Sequence, residues 1–226
     1  TTHCLGSAFN QKLLLGFGLL SMCAAAPFVL VQTNVKRLYA YSSVEHMGII
    51  CVGIGLNSSL AIFGALLHMG YHALTKPVLF FVSGNIHQKY HTLEMPAIGS
   101  GLLKAMPAAA PLLAVAVIAA TGVPPFGIFL SEFCILMGGM TDGHILACAL
   151  FLTALITVFC GFLNHTVKLL LGAPTTTIHS DGYQTSWSGL VAMRFMIGML
   201  VVFSVWLPRP LFHLIEQAAQ IIGGVS

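Results

Sequence analysis

Three ionisable side chains, His68, His72 and Lys76, stand four residues apart inside the otherwise apolar stretch ALLHMGYHALTKPVLFFV. That spacing lines them up on one face of a helix, about two turns from end to end. The flanking residues are apolar enough for a membrane span. A charge near the bilayer centre costs on the order of 3 kcal/mol on insertion scales, so three titratable groups on one face need a compensating use. Imidazoles and an amine that can release and rebind protons point to a proton or ion route inside a helix bundle. Either histidine alone reads more plainly as a structural group satisfied by a neighbouring carbonyl, and Lys76 could reach the interface with its stem. Both histidines together with Lys76 favour the relay. The HxxxH spacing also suits zinc, but Met69 stands where a zinc protease carries Glu and the sequence offers no third ligand, so no metal is assigned.

Other polar positions recur in the same apolar setting. Glu132 is the single acid in 105–140 and follows the string TGVPPFG at 121–127. Pro124 and Pro125 remove two backbone donors there, and Gly122 and Gly127 loosen the turn. A carboxyl beside such a break is costly unless protonated or paired, which suits a switchable proton site; a plain polar contact between helices is the alternative. Glu45 and His46 are adjacent, so they project about 100° apart on one helix, while Tyr39, Ser42 and His46 share a face. That face could carry a hydrogen-bonded chain; equally, Glu45 and His46 could hold helices together. His87 and His91 fall at or beyond the end of the His/His/Lys helix, as a solvated loop or as a proton port.

Composition sets the solvent in which these residues work. Of 226 residues, 57% are hydrophobic and 7% charged, with mean hydropathy +0.92. A soluble domain carries about 25% charge, so this chain resides in lipid. Nine basic and six acidic residues are too sparse for a nucleic-acid surface. The cysteines at 4, 23, 51, 134, 148 and 160 show no CxxC spacing and read as buried free thiols. No flavin, iron–sulfur, nickel or quinone site is legible, so no cofactor is expected and any redox chemistry belongs to partners.

The elements that must position these groups read as an all-α, polytopic membrane bundle of about six crossings. Spans fall at roughly 13–31, 38–56, 60–83, 105–140, 145–170 and 191–207, and a polar connection occupies 84–104. The fourth is too long for one straight crossing and is read as half-helices 105–120 and 126–140 around an unwound link. Unwound backbone at membrane depth persists only where protein buries it or a cavity adjoins it. With the broken segment counted once, Lys36, Arg37, Lys89, Lys104 and Lys168 share one side, with Arg194 nearby, and Lys12 and Arg209 the other. The positive-inside bias then makes the first side cytoplasmic, including the polar loop 172–190. The tail 211–222 has the polar spacing of a helix lying in the interface.

Three strings carry a family resemblance: QTNVKRLYAYSSVEHMG (32–48), HMGYHALTKPVLFFVSGNI (68–86) and TGVPPFGIFLSEFCIL (121–136). They resemble the antiporter-like, proton-conducting membrane subunits of respiratory NADH:quinone oxidoreductase and of group 4 hydrogenases, most of all the hydrogenase-4 component F branch. The resemblance implies two inverted five-helix repeats, each with a broken helix; residues 1–171 would be the second repeat, and 191–226 the final crossing with its tail. It places His72 and Lys76 on the His and Lys of the family's HAxxK helix, His68 one turn earlier, and Glu132 on a Lys-or-Glu position of the broken helix. It further implies a proton-translocating subunit of a redox-driven complex in a prokaryotic inner membrane, with other membrane subunits and a peripheral redox arm as partners. A non-conducting structural subunit and a stand-alone cation/proton antiporter are the competing expectations. The first repeat has no counterpart here and the chain starts at Thr1 rather than Met, so a fragment or a processed product is expected.

Overall fold

The computed structural model describes residues 7–172 and 186–223, and all its regular structure there is helical. Residues 173–185, which make up most of the expected loop 172–190, lie outside the described residues.

Helix α1 (Ser7–Val31) and α2 (Val35–Gly55) form a hairpin whose turn is set by Asn34. The Asn34 side chain caps α2 by accepting from the Lys36 and Arg37 amides at 3.1 and 3.2 Å. It also donates to Glu94 at 2.8 Å, while Thr33 donates to the same carboxylate at 3.2 Å. Backbone bonds from Met95 to Thr33 and from Val35 to Leu93 complete the clasp. The links after α1 and after the third helix are therefore tied together on one face. Lys168 and His165, near the end of α8 (Ile145–Leu170), line a crevice with Thr33 and Ser100 on that same face.

Helix α3 (Ser59–Tyr90) is two turns longer than the expected 60–83. Val82 and Ile86 keep one stripe buried as the rest of the helix turns polar. Lys89 ties the end down by donating to the Ala105 carbonyl. His87 and Lys89 in the last turn also suit the negative end of the helix dipole. Pro77, directly after Lys76, has no N–H to give the Ala73 carbonyl and marks a local irregularity at that depth.

Two one-turn helices follow, α4 (Met95–Ile98) and α5 (Leu102–Ala105). The first half-helix, α6 (Ala110–Ala120), starts five residues later than expected. Pro107 pushes Met106 out of helical geometry (φ −133°), so the chain turns before it can enter the span. The second half-helix, α7 (Gly127–Thr141), follows the expected break. Between them the Thr121 hydroxyl donates back to the Val117 and Ile118 carbonyls at 3.0 and 3.1 Å, which also accept from the Thr121 and Val123 amides at 2.9 and 3.4 Å.

Helix α8 matches its expected span. Helix α9 (Trp187–Val205) begins four residues earlier than expected. The tail expected in the interface forms α10 (Arg209–Gly223) and packs along α3, with Leu211 and Ile215 beside Leu67 and Leu74 and with Ala219 and Gln220 beside Ser59. α1, α8 and α9 are each long and apolar enough to cross a membrane, and the chain is a multi-pass membrane protein. Two apolar clusters bracket the middle of the bundle. One holds Tyr39, Val78 and Val82; the other holds Ile49, Ala65 and Ile135. On α2 the stretch 42–46 falls between them, and on α3 the stretch 68–76 does so.

Candidate proton-relay site

The gap between those clusters holds the ionisable groups. Each lies well inside its helix: Glu45 is ten residues from the start of α2, about 15 Å along the axis at 1.5 Å per residue. Glu45, His46, His68 and Lys76 are all buried, with at most 5% of their surface exposed. Four buried ionisable residues within two helices are costly unless they satisfy one another.

His46 sits at the centre. Its Nδ1 lies 2.8 Å from His68 Nε2, and its ring packs against both His68 and His72, with centroids 5.0 and 5.2 Å apart. His68 Nδ1 lies 2.8 Å from Ser131 Oγ, and Ser131 donates to the Ile128 carbonyl at 2.6 Å. The single hydroxyl proton fixes the polarity of this chain. With it given to Ile128, Ser131 accepts from His68 Nδ1–H, and the bare His68 Nε2 accepts from His46 Nδ1–H. His46 also has the Ala120 carbonyl, at the end of the first half-helix, as a hydrogen-bond partner, and its Nε2 lies 3.9 Å from the Glu45 carboxylate.

Lys76 donates to Ser42, which shares its face of α2 with His46. Its ammonium and the Glu45 carboxylate are within electrostatic reach of each other, as are Glu45 and Glu132. Glu132 is half-buried and forms no hydrogen bond among the described residues. One of its carboxyl oxygens lies within 4.8 Å of ligand nitrogens of His46 and His68. That separation is the span of one bridging water.

The break positions Glu132. Gly122 has φ +65°, and a Cβ there would stand 2.2 Å from Glu132 Oε2, so the carboxyl rests where a side chain would be. Gly127 leaves room for the Tyr71 ring, which would meet an added Cβ at 2.1 Å. The Gly127 amide donates to Ser204 at 2.9 Å and Tyr71 donates to the Phe203 carbonyl at 2.9 Å, so α3 and α9 brace the break from both sides. Glu45, Gly122 and Glu132 open onto a cavity of about 260 Å³ walled by aromatic and aliphatic side chains of α7 and α8.

Of the residues singled out in the sequence, Glu45, His46, His68, His72, Lys76 and Glu132 come together. His72 lies against His46, and its buried Nε2 has no hydrogen-bond partner among the described residues. His87 and His91 do not join them. They are exposed at the end of α3, and Val78, Val82 and Ile86 fill the space between Lys76 and that end. Ser131 carries a role that sequence reasoning missed. The only signal was its place beside Glu132 in the quoted SEF string, and serine is too common on helices to stand out.

The chain belongs to the NADH:quinone oxidoreductase/Mrp antiporter transmembrane family, whose match covers residues 3–157. A hydrogenase-4 component F homolog from Methylacidiphilum infernorum is 39% identical over 162 residues, which are 72% of this chain and 34% of that protein. Respiratory complex I from Thermus thermophilus with bound NADH contains a chain that superposes with TM-score 0.81 at 25% identity, over 97% of this chain and 46% of that one. The Mrp complex from Dietzia sp. DQ12-45-1b gives TM-score 0.84 at 17% identity, over 96% and 48%, which shows a common fold. The chain thus spans about a third of its curated relative and under half of these structural ones.

Proposed function

We propose that this chain supplies one half of a proton path in a redox-driven membrane complex, with six crossings and residues 1–171 acting as the second five-helix repeat of a longer antiporter-like subunit. The observation that carries this reading is the succession of ionisable groups, buried at Lys76, Glu45, His46 and His68 and half-buried at Glu132, each within electrostatic or one-water reach of the next. A scaffold needs no such run, because two helices can be held by a single polar contact. Single carboxyls flanked by imidazoles suit protons better than sodium, which prefers several oxygen ligands.

In this account Lys76 and Glu45 form the charge pair that a neighbouring event perturbs. The proton moves between His46 and His68 along the 2.8 Å contact and passes to Glu132 through one water. Ser131 anchors the end of the histidine chain and is not a through route. Moving one charge against 100 mV costs about 2.3 kcal/mol, and one pKa unit is worth 1.36 kcal/mol, so relative shifts of about two units gate a step. The electrons come from partner subunits, among them a peripheral redox arm, in the inner membrane of a prokaryote.

The test is proton pumping by the reconstituted complex carrying Lys76→Ala or Glu132→Gln. Loss of pumping with electron transfer retained or slowed supports the path. Unchanged pumping stoichiometry in both variants makes the chain a scaffold.

A further inference from the structure

We infer that His46, His68 and Glu132 form a binding site for one divalent cation of the zinc or cobalt type, entered from the cavity that Glu45 and Glu132 line. The three come from α2, α3 and α7, and one ligand atom of each lies within 4.8 Å of the others. The HxxxH pair visible in the sequence is not this site. His68 finds its partners on other helices, which spacing along one helix cannot show.

The geometry needs little change. Zinc bonds to nitrogen and oxygen are about 2.0–2.2 Å, so ligands on a tetrahedron stand about 3.3 Å apart. His46 Nδ1 and His68 Nε2, 2.8 Å apart, part by about half an ångström to admit a cation, and the ring proton of His46 moves from Nδ1 to Nε2 so that both imidazoles stay neutral. The Glu132 carboxyl closes inward. It has no hydrogen bond to give up among the described residues, and the 260 Å³ cavity beside it leaves it free to swing. Charge balance favours a dication. Two neutral imidazoles with the Glu132 carboxylate, and Glu45 at the rim 3.9 Å from His46, bring two negative charges, so a dication leaves only the Lys76 charge in excess. Opposite charges in that number limit the cost of holding a cation in a low-dielectric interior. Paired imidazoles select zinc or cobalt over magnesium and calcium, which take oxygen ligands. Lys76 is the cation facing these histidines, and its charge opposes the binding.

Binding is measured at equilibrium without transport, so the site stands or falls separately from the proton path. The purified chain in detergent is titrated with Co²⁺, followed by its visible ligand-field bands, and then with Zn²⁺ against a chromophoric chelator. One equivalent is expected to bind with tetrahedral-type bands. His46→Gln, His68→Gln and Glu132→Gln should each weaken it at least about tenfold, the loss that even an outer-shell partner causes. Glu132→Gln is nearly isosteric and half-buried, which keeps a folded variant in the set, and helix content by circular dichroism checks all three. The exposed His144→Gln and His213→Gln should bind as the parent does, and Lys76→Met equally or more tightly. Absence of stoichiometric binding overturns the site. So does undiminished binding in Glu132→Gln, weaker binding in Lys76→Met, or loss confined to the His144 or His213 variant.

Discussion

Gly122→Ala perturbs the proposed path without removing any ionisable group. Gly122 has φ +65°, where an L side chain costs about 1–2 kcal/mol. The new methyl would also stand 2.2 Å from Glu132 Oε2, 3.1 Å from its Cδ and 3.3 Å from Oε1. Forcing extra carbon into a packed site costs about 1–3 kcal/mol when nothing yields. Here the carboxyl ends a flexible side chain next to a cavity, so it should swing away and bring the total to about 2 kcal/mol. What is lost is its place beside His46 and His68. The assay is a double-mutant cycle on denaturation in detergent, paired with pumping by the reconstituted complex. In a Glu132→Ala background the clash disappears and only the backbone cost remains. The penalty for Gly122→Ala should then fall by about 0.5–1 kcal/mol, leaving the backbone cost. Pumping should drop sharply in the single variant although Lys76, both histidines and Glu132 are all retained. Equal penalties in the two backgrounds, or full pumping by Gly122→Ala, would refute the reasoning.

Three further substitutions separate the parts. Ser42→Ala removes the acceptor of the Lys76 ammonium. A charge-assisted bond is worth about 1.5–3 kcal/mol, so the proton-transfer step should slow about tenfold or more, read as pumping rate at fixed electron flux. Ser131→Ala leaves the buried His68 Nδ1–H without its partner. It should destabilise the chain by about 1–3 kcal/mol in denaturation while retaining pumping, because Ser131 ends on a carbonyl. Asn34→Ala loses the α2 cap and the bond to Glu94. It should cost about 1 kcal/mol and speed amide exchange in the clasp, with the pumping stoichiometry unchanged.

The parts of this molecule legible in its sequence are those where one residue type is out of place in lipid. His68, His72 and Lys76 stand out against an apolar helix, and Pro124 and Pro125 remove donors that no straight span can lose. Both features depend only on the cost of unsatisfied polar groups in hydrocarbon. The centrality of His46 was hidden, because its adjacency to Glu45 fits a helix contact as well as a relay. Only packing shows that it touches both His68 and His72. Ser131 was hidden for the same reason. Helix ends were missed where the solvent changes. Residues 84–90 read as a polar link, yet α3 continues through them because Ile86 stays in the core. The tail's polar spacing suited an interface, and its packing along α3 depends on Leu211 and Ile215 meeting Leu67 and Leu74, which no local pattern reveals.

His46→Gln in the reconstituted complex probes the junction most directly, read as protons translocated per electron. The amide keeps the volume and a hydrogen bond but cannot pass a proton between two ring nitrogens. If Lys76 and Glu132 communicate through the His46–His68 contact, the ratio falls as far as it does in Lys76→Ala, with electron transfer still measurable. A ratio equal to that of the parent would show that the two ends are not joined at His46.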